Sequence, residues 1–140
     1  MVQIIAGRKG KGKTKILLQK ANEAIKEAKG SVVYLDKNTK HMFELNNRVR
    51  LINVMDYPIN TPESFIGFIS GIISQDHDIE IMFLDSFLTL SCLEGKEDVS
   101  EDINKLIKLS EVFGITFILS VSLDRDELSE ELQPCVTDAL

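Results

Sequence analysis

The sequence predicts an α/β protein: a three-layer α/β/α arrangement around a mainly parallel sheet of about five strands. Three observations predict it. Short runs rich in β-branched residues recur along the chain, and they are nearly continuously apolar, as strands buried on both faces should be. Stretches with helical periodicity separate them. Acidic or hydroxyl residues close several of the runs, at the strand ends where such sheets gather ligands.

The elements follow in order. Val2 to Ala6 reads as the first strand and leads into a glycine-rich loop. A helix follows from about Lys13 to Lys29, with Leu17, Ala21, Ala24, Ile25 and Ala28 on one face. Gly30 is expected to stop it in a left-handed cap. Ser31 to Asp36 is the second strand. Lys37 to Lys40 is a turn into a short helix over His41 to Leu45, and Val49 to Val54 is a third strand. Arg50 and Asn53 mark that strand as an edge. Thr61-Pro62-Glu63 opens a helix with a capping hydroxyl and proline at the first helical position. Its apolar arc of Phe65, Ile66, Phe68, Ile69, Ile72 and Ile73 is wide, and Gly67 and Gly71 are expected to allow close approach to a neighbour. Ile79 to Leu84 is the fourth strand, ending at Asp85-Ser86, followed by a charged loop, Glu94 to Asp98. Ser100 is expected to cap a helix whose inner face carries Ile103, Leu106, Ile107, Ser110 and Phe113 and which ends at Gly114. Ile115 to Val121 is the fifth strand. A short helix near Arg125 to Glu131 and a last strand near Cys135 complete the chain.

At 140 residues this is a single domain, 1–140. The net charge of −6 argues against a broad nucleic-acid surface, which should be basic. No apolar run approaches the ~20 residues of a membrane span. The chain enters a strand at once, without a signal-peptide pattern, so a cytoplasmic location is expected. Cys92 and Cys135 form no CxxC pair and are expected to be buried, reduced thiols. His41 and His77 have no partners at metal spacing and read as surface or loop residues. Charge is uneven: Arg8, Lys9, Lys11, Lys13 and Lys15 crowd the first loop, and acids crowd Asp124 to Glu131. A basic mouth on an acidic body suits a small polyanion.

That loop, Gly7-Arg8-Lys9-Gly10-Lys11-Gly12-Lys13-Thr14, fits G-x-x-x-x-G-K-[ST], the Walker A or P-loop pattern, between a strand and a helix as the chemistry requires. Glycines let successive N–H groups converge on phosphate oxygens, and the helix aims its positive end at the same place. Gly7 to Lys15 is the candidate nucleotide-binding stretch, with Lys13 reaching the terminal phosphates and Thr14 placed on Mg²⁺. Asp85, delivered to the sheet rim by Ile81-Met82-Phe83-Leu84, is the second candidate metal residue; its other reading is an aspartate ending a strand. The implied cofactors are ATP, or another nucleoside triphosphate, and Mg²⁺.

This order of parts resembles the RecA-like group of P-loop NTPases. Val33 to Asn38 resembles that family's second strand, whose acidic end carries the catalytic glutamate. Ile81 to Leu90, with Asp85-Ser86, resembles its Walker B strand, and Ile118 to Ser122 resembles the strand whose polar end senses the γ-phosphate. The resemblance implies a sensor strand between the first and fourth strands, and candidate catalytic roles for Lys13, Asp36, Asn38 and Ser120, with Ser122 beside the last. The chain departs from the family where the glutamate is expected, offering Asp36 and Asn38. An amide cannot take a proton from water as a carboxylate does. Asp36 substitutes, Glu44 reaches in, or hydrolysis is slow; the plainer reading of Asp36 and Asn38 is a turn. The segments that recombinases use for DNA have no counterpart. Gly10 to Thr14 also looks like the loop of corrinoid adenosyltransferases, and Val136-Thr137-Asp138 is similar to their carboxyl-terminal pattern, although Asp85 is followed by Ser86 rather than by a second acid. The expected function is Mg-dependent nucleotide binding with slow ATP hydrolysis. A non-hydrolysing sensor or assembly module, or a nucleotide-dependent transferase, is the alternative. The extra cations of the loop would grip phosphates or meet an acidic protein partner, including a second copy of the chain. Arg125 reads as a finger across such an interface or as a surface ion pair with Asp124 or Asp126.

Overall fold

A computed structural model describes residues Met1–Leu140. Six strands form one parallel sheet: β1 (Val2–Ala6), β2 (Ser31–Asp36), β3 (Arg50–Asn53), β4 (Ile79–Leu84), β5 (Thr116–Val121) and β6 (Val136–Ala139), in the order β3-β2-β4-β5-β1-β6. The strand expected near Cys135 is β6, and it takes the sheet from about five strands to six. β3 lies at the edge, where Arg50 and Asn53 can face water, and β5 lies between β4 and β1. The helices are α1 (Lys13–Glu27), α2 (Pro62–Gln75), α3 (Phe87–Leu90) and α4 (Ser100–Phe113).

Strand alternation divides the apolar side chains between two faces. On one face, Leu17, Leu18, Ala21 and Ile25 of α1 pack against Ile5, Val32, Tyr34, Phe83 and Ile118. On the other, Phe65 and Ile69 of α2 and Ile103 and Leu106 of α4 pack against Ile4, Val33, Leu35, Met82 and Leu119. Burying one such Leu, Ile or Phe contributes roughly 1.5–3 kcal/mol, so both helical layers are held by the same central strands. No helix is long and apolar enough to cross a membrane.

Several local expectations need correction. Residues 41–45 form turns, not a helix. Phe43 is 92% exposed and Met42 is exposed too, so Leu45 is the one apolar side chain of the segment that is buried, too little to hold a helix against the core. α3 was not legible, because a single apolar turn carries no periodicity; Phe87, Leu88 and Leu90 nevertheless enter the core. α1 ends with Ala28 in extended backbone, and Gly30 has no left-handed φ. Gly30 serves close approach instead: a Cβ there would lie 1.9 Å from the Asp78 carbonyl oxygen. Gly67 and Gly71 meet nothing within 4 Å, and both are exposed on the outer face of α2. α4 is not capped by Ser100 itself; Asp98 Oδ1 accepts the Ser100 N–H at 2.9 Å. Phe113, expected inside, is 54% exposed. Of the segment near Arg125 to Glu131, only Arg125–Glu127 is helical, as a 3₁₀ turn. Cys92 is exposed and Cys135 half-buried, so neither is the buried thiol expected.

The glycines separate by context. Gly30→Ala is expected to destabilise the fold by about 1–3 kcal/mol through the overpacked contact. Gly67→Ala and Gly71→Ala should each stabilise it by roughly 0.5–1 kcal/mol, as alanine does in an open helix interior. Urea denaturation of the three variants measures both signs.

Candidate functional site

The loop from β1 to α1 is anchored at its start and open at its end. The Gly7 N–H donates to the Val121 carbonyl at 3.2 Å, tying the loop to β5. Gly10 and Gly12 have φ of 84° and 88°, in the left-handed region where side chains are disfavoured. Gly12 is also the N-cap residue just before α1, and no side chain caps the helix. The first-turn N–H groups of α1 are therefore left for another acceptor. The charge pattern agrees. α2 and α4 carry acids in their first turns, which the helix dipole favours, whereas α1 carries none and begins with Lys13-Thr14-Lys15. Cations at a helix N-terminus are unfavourable until an anion joins them.

Alternation in the sheet supplies the other wall. Tyr34, Asp36, Ile118 and Ser120 share the α1 side of their strands, and Asp85 continues the direction of Phe83 just beyond β4. Asp85 is thereby brought under the first turn of α1. Its Oδ1 accepts from Thr14 Oγ1 at 3.2 Å and from Ser120 Oγ at 2.9 Å; its Oδ2 accepts from Tyr34 Oη at 2.8 Å. Ser120 Oγ in turn accepts the Ser86 N–H at 2.7 Å. That bond helps to hold Ser86 at φ 59°, a left-handed conformation unusual outside glycine and asparagine and frequent at functional sites. Lys13 is buried despite its charge, and its Nζ donates to the Gly7 and Arg8 carbonyls at 2.6 and 2.9 Å. Burial pulls its pKa below the ordinary lysine value, while Asp85 pulls it back up. Lys13, Thr14, Asp85, Ser86 and Ser120 border a cleft of about 340 Å³, which Lys9, Lys37, Thr89 and Ser122 also line.

The expected residues do not all converge. Gly10, Gly12, Lys13, Thr14, Asp85, Ser120 and Ser122 meet at the cleft. Asp36 lies close behind it, 3% exposed, with Oδ1 accepting the Lys37 N–H at 2.7 Å and Oδ2 without any hydrogen-bond partner. Burial first, then the charge of Asp85, raises its pKa from 3.8 to about 6. Asn38 stays in the turn, accepting the Lys40 N–H at 3.1 Å. Glu44 is exposed and paired with His41 at 2.5 Å. Arg8 turns from the cleft to the acids after β5, reaching Glu127 at 2.5 Å and Asp124 at 3.4 Å. Lys11 and Lys15 are exposed. Arg125 makes no ion pair, because Asp124 faces Arg8 instead. Tyr34 was missed. In sequence it is one more apolar strand residue; its two-residue spacing from Asp36 was the available signal. Burial and then Asp85 push its pKa far above the ordinary tyrosine value, so it remains a donor.

No protein-family model matches the chain, and no curated protein matches it.

Asp36 has a pH consequence. In the unfolded chain it ionises near its ordinary 3.8, whereas in the fold it keeps its proton to about 6. The unfolded state thus binds fewer protons across this window, and stability falls as pH rises through it. Asp36→Asn removes the effect. The stability difference between variant and wild type should move in favour of the variant by about 2 kcal/mol between pH 4 and pH 7.5 in urea titrations.

Proposed function

We propose that this chain binds a nucleoside triphosphate, ATP foremost, with Mg²⁺, and hydrolyses it slowly, as a P-loop protein of the RecA-like kind. One observation carries the reading: Thr14 Oγ1 and Asp85 Oδ1, 71 positions apart in the chain, meet at 3.2 Å beside a left-handed glycine loop. A hydroxyl and a carboxylate so placed are hard oxygen donors of the kind Mg²⁺ takes, and there are few of them. The chain has no cluster of three or more His, Cys, Asp or Glu side chains suited to a metal. The donor set fits, and Thr14 and Asp85 would hold the ion. When bound, Mg²⁺ supplies positive charge against the phosphate oxygens.

The protein's own groups do the rest. The uncapped first turn of α1 offers N–H donors to an anion, and the ligand offsets the repulsion between Lys13, Lys15 and the helix dipole. Lys13 Nζ would exchange its carbonyl partners for phosphate oxygens. Asp36 is the one buried carboxylate here with an unpartnered oxygen, and above pH 6 it is ionised, the form a general base must have. Its place behind the cleft accounts for turnover being slow.

Transfer rather than hydrolysis is the second reading. A hollow of about 600 Å³ adjoins the cleft and shares Lys9, Ser86, Thr89 and Ser122 with it, so a second reactant has room at the cleft's end. A sensor without turnover is the third, and Asn38, bound to its own turn, favours it.

Thermal denaturation with Mg-ATP at about 100 times its dissociation constant should show stabilisation of ~2.7 kcal/mol. Lys13→Ala should abolish it, and Asp85→Ala should remove its magnesium dependence. No shift with any nucleoside triphosphate would rule out the reading. Phosphate release that rises through pH 6 and disappears in Asp36→Asn, with ATP binding retained, identifies hydrolysis through Asp36. Triphosphate release only with a cobalamin acceptor identifies the transferase. Binding with neither product identifies the sensor.

A further inference from the structure

Asp85 is gripped on both oxygens, and the inner grip belongs to neither the loop nor the metal-facing pair. Tyr34 Oη donates to Oδ2 at 2.8 Å, while Thr14 and Ser120 donate to Oδ1 at 3.2 and 2.9 Å. The Tyr34 ring is fully buried on a central strand and stacked on Phe83, with centroids 5.9 Å apart. The Asp85 N–H donates to the Leu35 carbonyl at 3.0 Å, so backbone and side chain of Asp85 are both fixed to β2. Rotating the carboxylate would break the Tyr34 contact and the Thr14 contact together.

Packing alone does not call for a tyrosine. A phenylalanine would fill the same ring space, and a buried phenol hydroxyl is usually found only where it has a partner. Building on the nucleotide reading above, we infer that Tyr34 is a positioning residue for magnesium: its hydroxyl holds Asp85 Oδ2, turns Oδ1 to the Thr14 side of the cleft, and so couples metal binding to nucleotide binding. Groups that orient a metal ligand in this way commonly change metal affinity 10–100-fold when removed.

The test is Tyr34→Phe, read with a fluorescent ATP analogue titrated with Mg²⁺. Affinity in EDTA should match that of the wild type, while the Mg²⁺ concentration at half-effect should rise 10–100-fold. A merely structural role would alter the melting temperature and leave that midpoint in place. An unchanged midpoint, with the wild type responding normally, overturns the inference and leaves the nucleotide reading standing; a wild type that binds without any magnesium response removes the inference, and one that does not bind at all removes both. Should Tyr34→Phe not fold, a second measurement decides. The chain has two tyrosines, so Tyr57→Phe protein labelled with [ζ-¹³C]tyrosine shows Tyr34 alone. Adding Mg²⁺ to the ATP-bound protein should shift that resonance, and a resonance that does not move overturns the inference.

Discussion

The carboxylate of Asp85 is the point on which this site depends. It is nearly inaccessible to solvent, and a buried charge is tolerated only when its oxygens are satisfied. Three hydroxyls from three different elements satisfy them: Thr14 from α1, Tyr34 from β2 and Ser120 from β5. Each donor stands where its element's backbone holds it, so strands β2, β4 and β5 and the first turn of α1 are locked into one arrangement. The same charge acts beyond its hydrogen bonds. It raises the pKa of Asp36 and opposes the fall that burial imposes on Lys13.

The two charged side chains next to it are treated differently. Lys13 is buried but satisfied by two loop carbonyls. Asp36 is buried with one oxygen unpaired, which is costly for an ionised carboxyl and inexpensive for a protonated one. The basic loop is also less free than its composition suggests. Arg8 is drawn off by Asp124 and Glu127, so the uneven charge along the chain is partly neutralised within the same molecule. Such exposed pairs contribute little to stability.

Much of this was legible in the sequence. The glycine loop announced the strand-to-helix turn, the apolar runs announced buried strands, and Asp85 at the end of Ile81 to Leu84 announced a polar group at the sheet rim. Failures fell where a residue's meaning depends on a distant partner. By its neighbours alone Gly30 is a helix stop; in the fold it is a gap for the Asp78 carbonyl. The four-residue spacing of Gly67 and Gly71 suggests a packing surface, whereas both face open space. Asn38 stands two residues after Asp36 in sequence and remains in its own turn.

Local chemistry thus determined the parallel α/β class, the open left-handed loop at Gly10 and Gly12, and the rank of Lys13, Thr14 and Asp85 as the residues to watch. These follow from glycine's freedom at positive φ, from the period of two in strands and from the period of 3.6 in helices, all of which are properties of neighbouring residues. Only the tertiary structure decided that Tyr34 would reach Asp85, that Asp36 would keep an unpaired oxygen, and that Arg8 would turn to Glu127. Strand order and register set these contacts, through pairings between residues 51 and 119 positions apart for Tyr34–Asp85 and Arg8–Glu127, respectively. Hydrogen bonding and burial at such range are properties of the folded surface, which no local window of the chain contains.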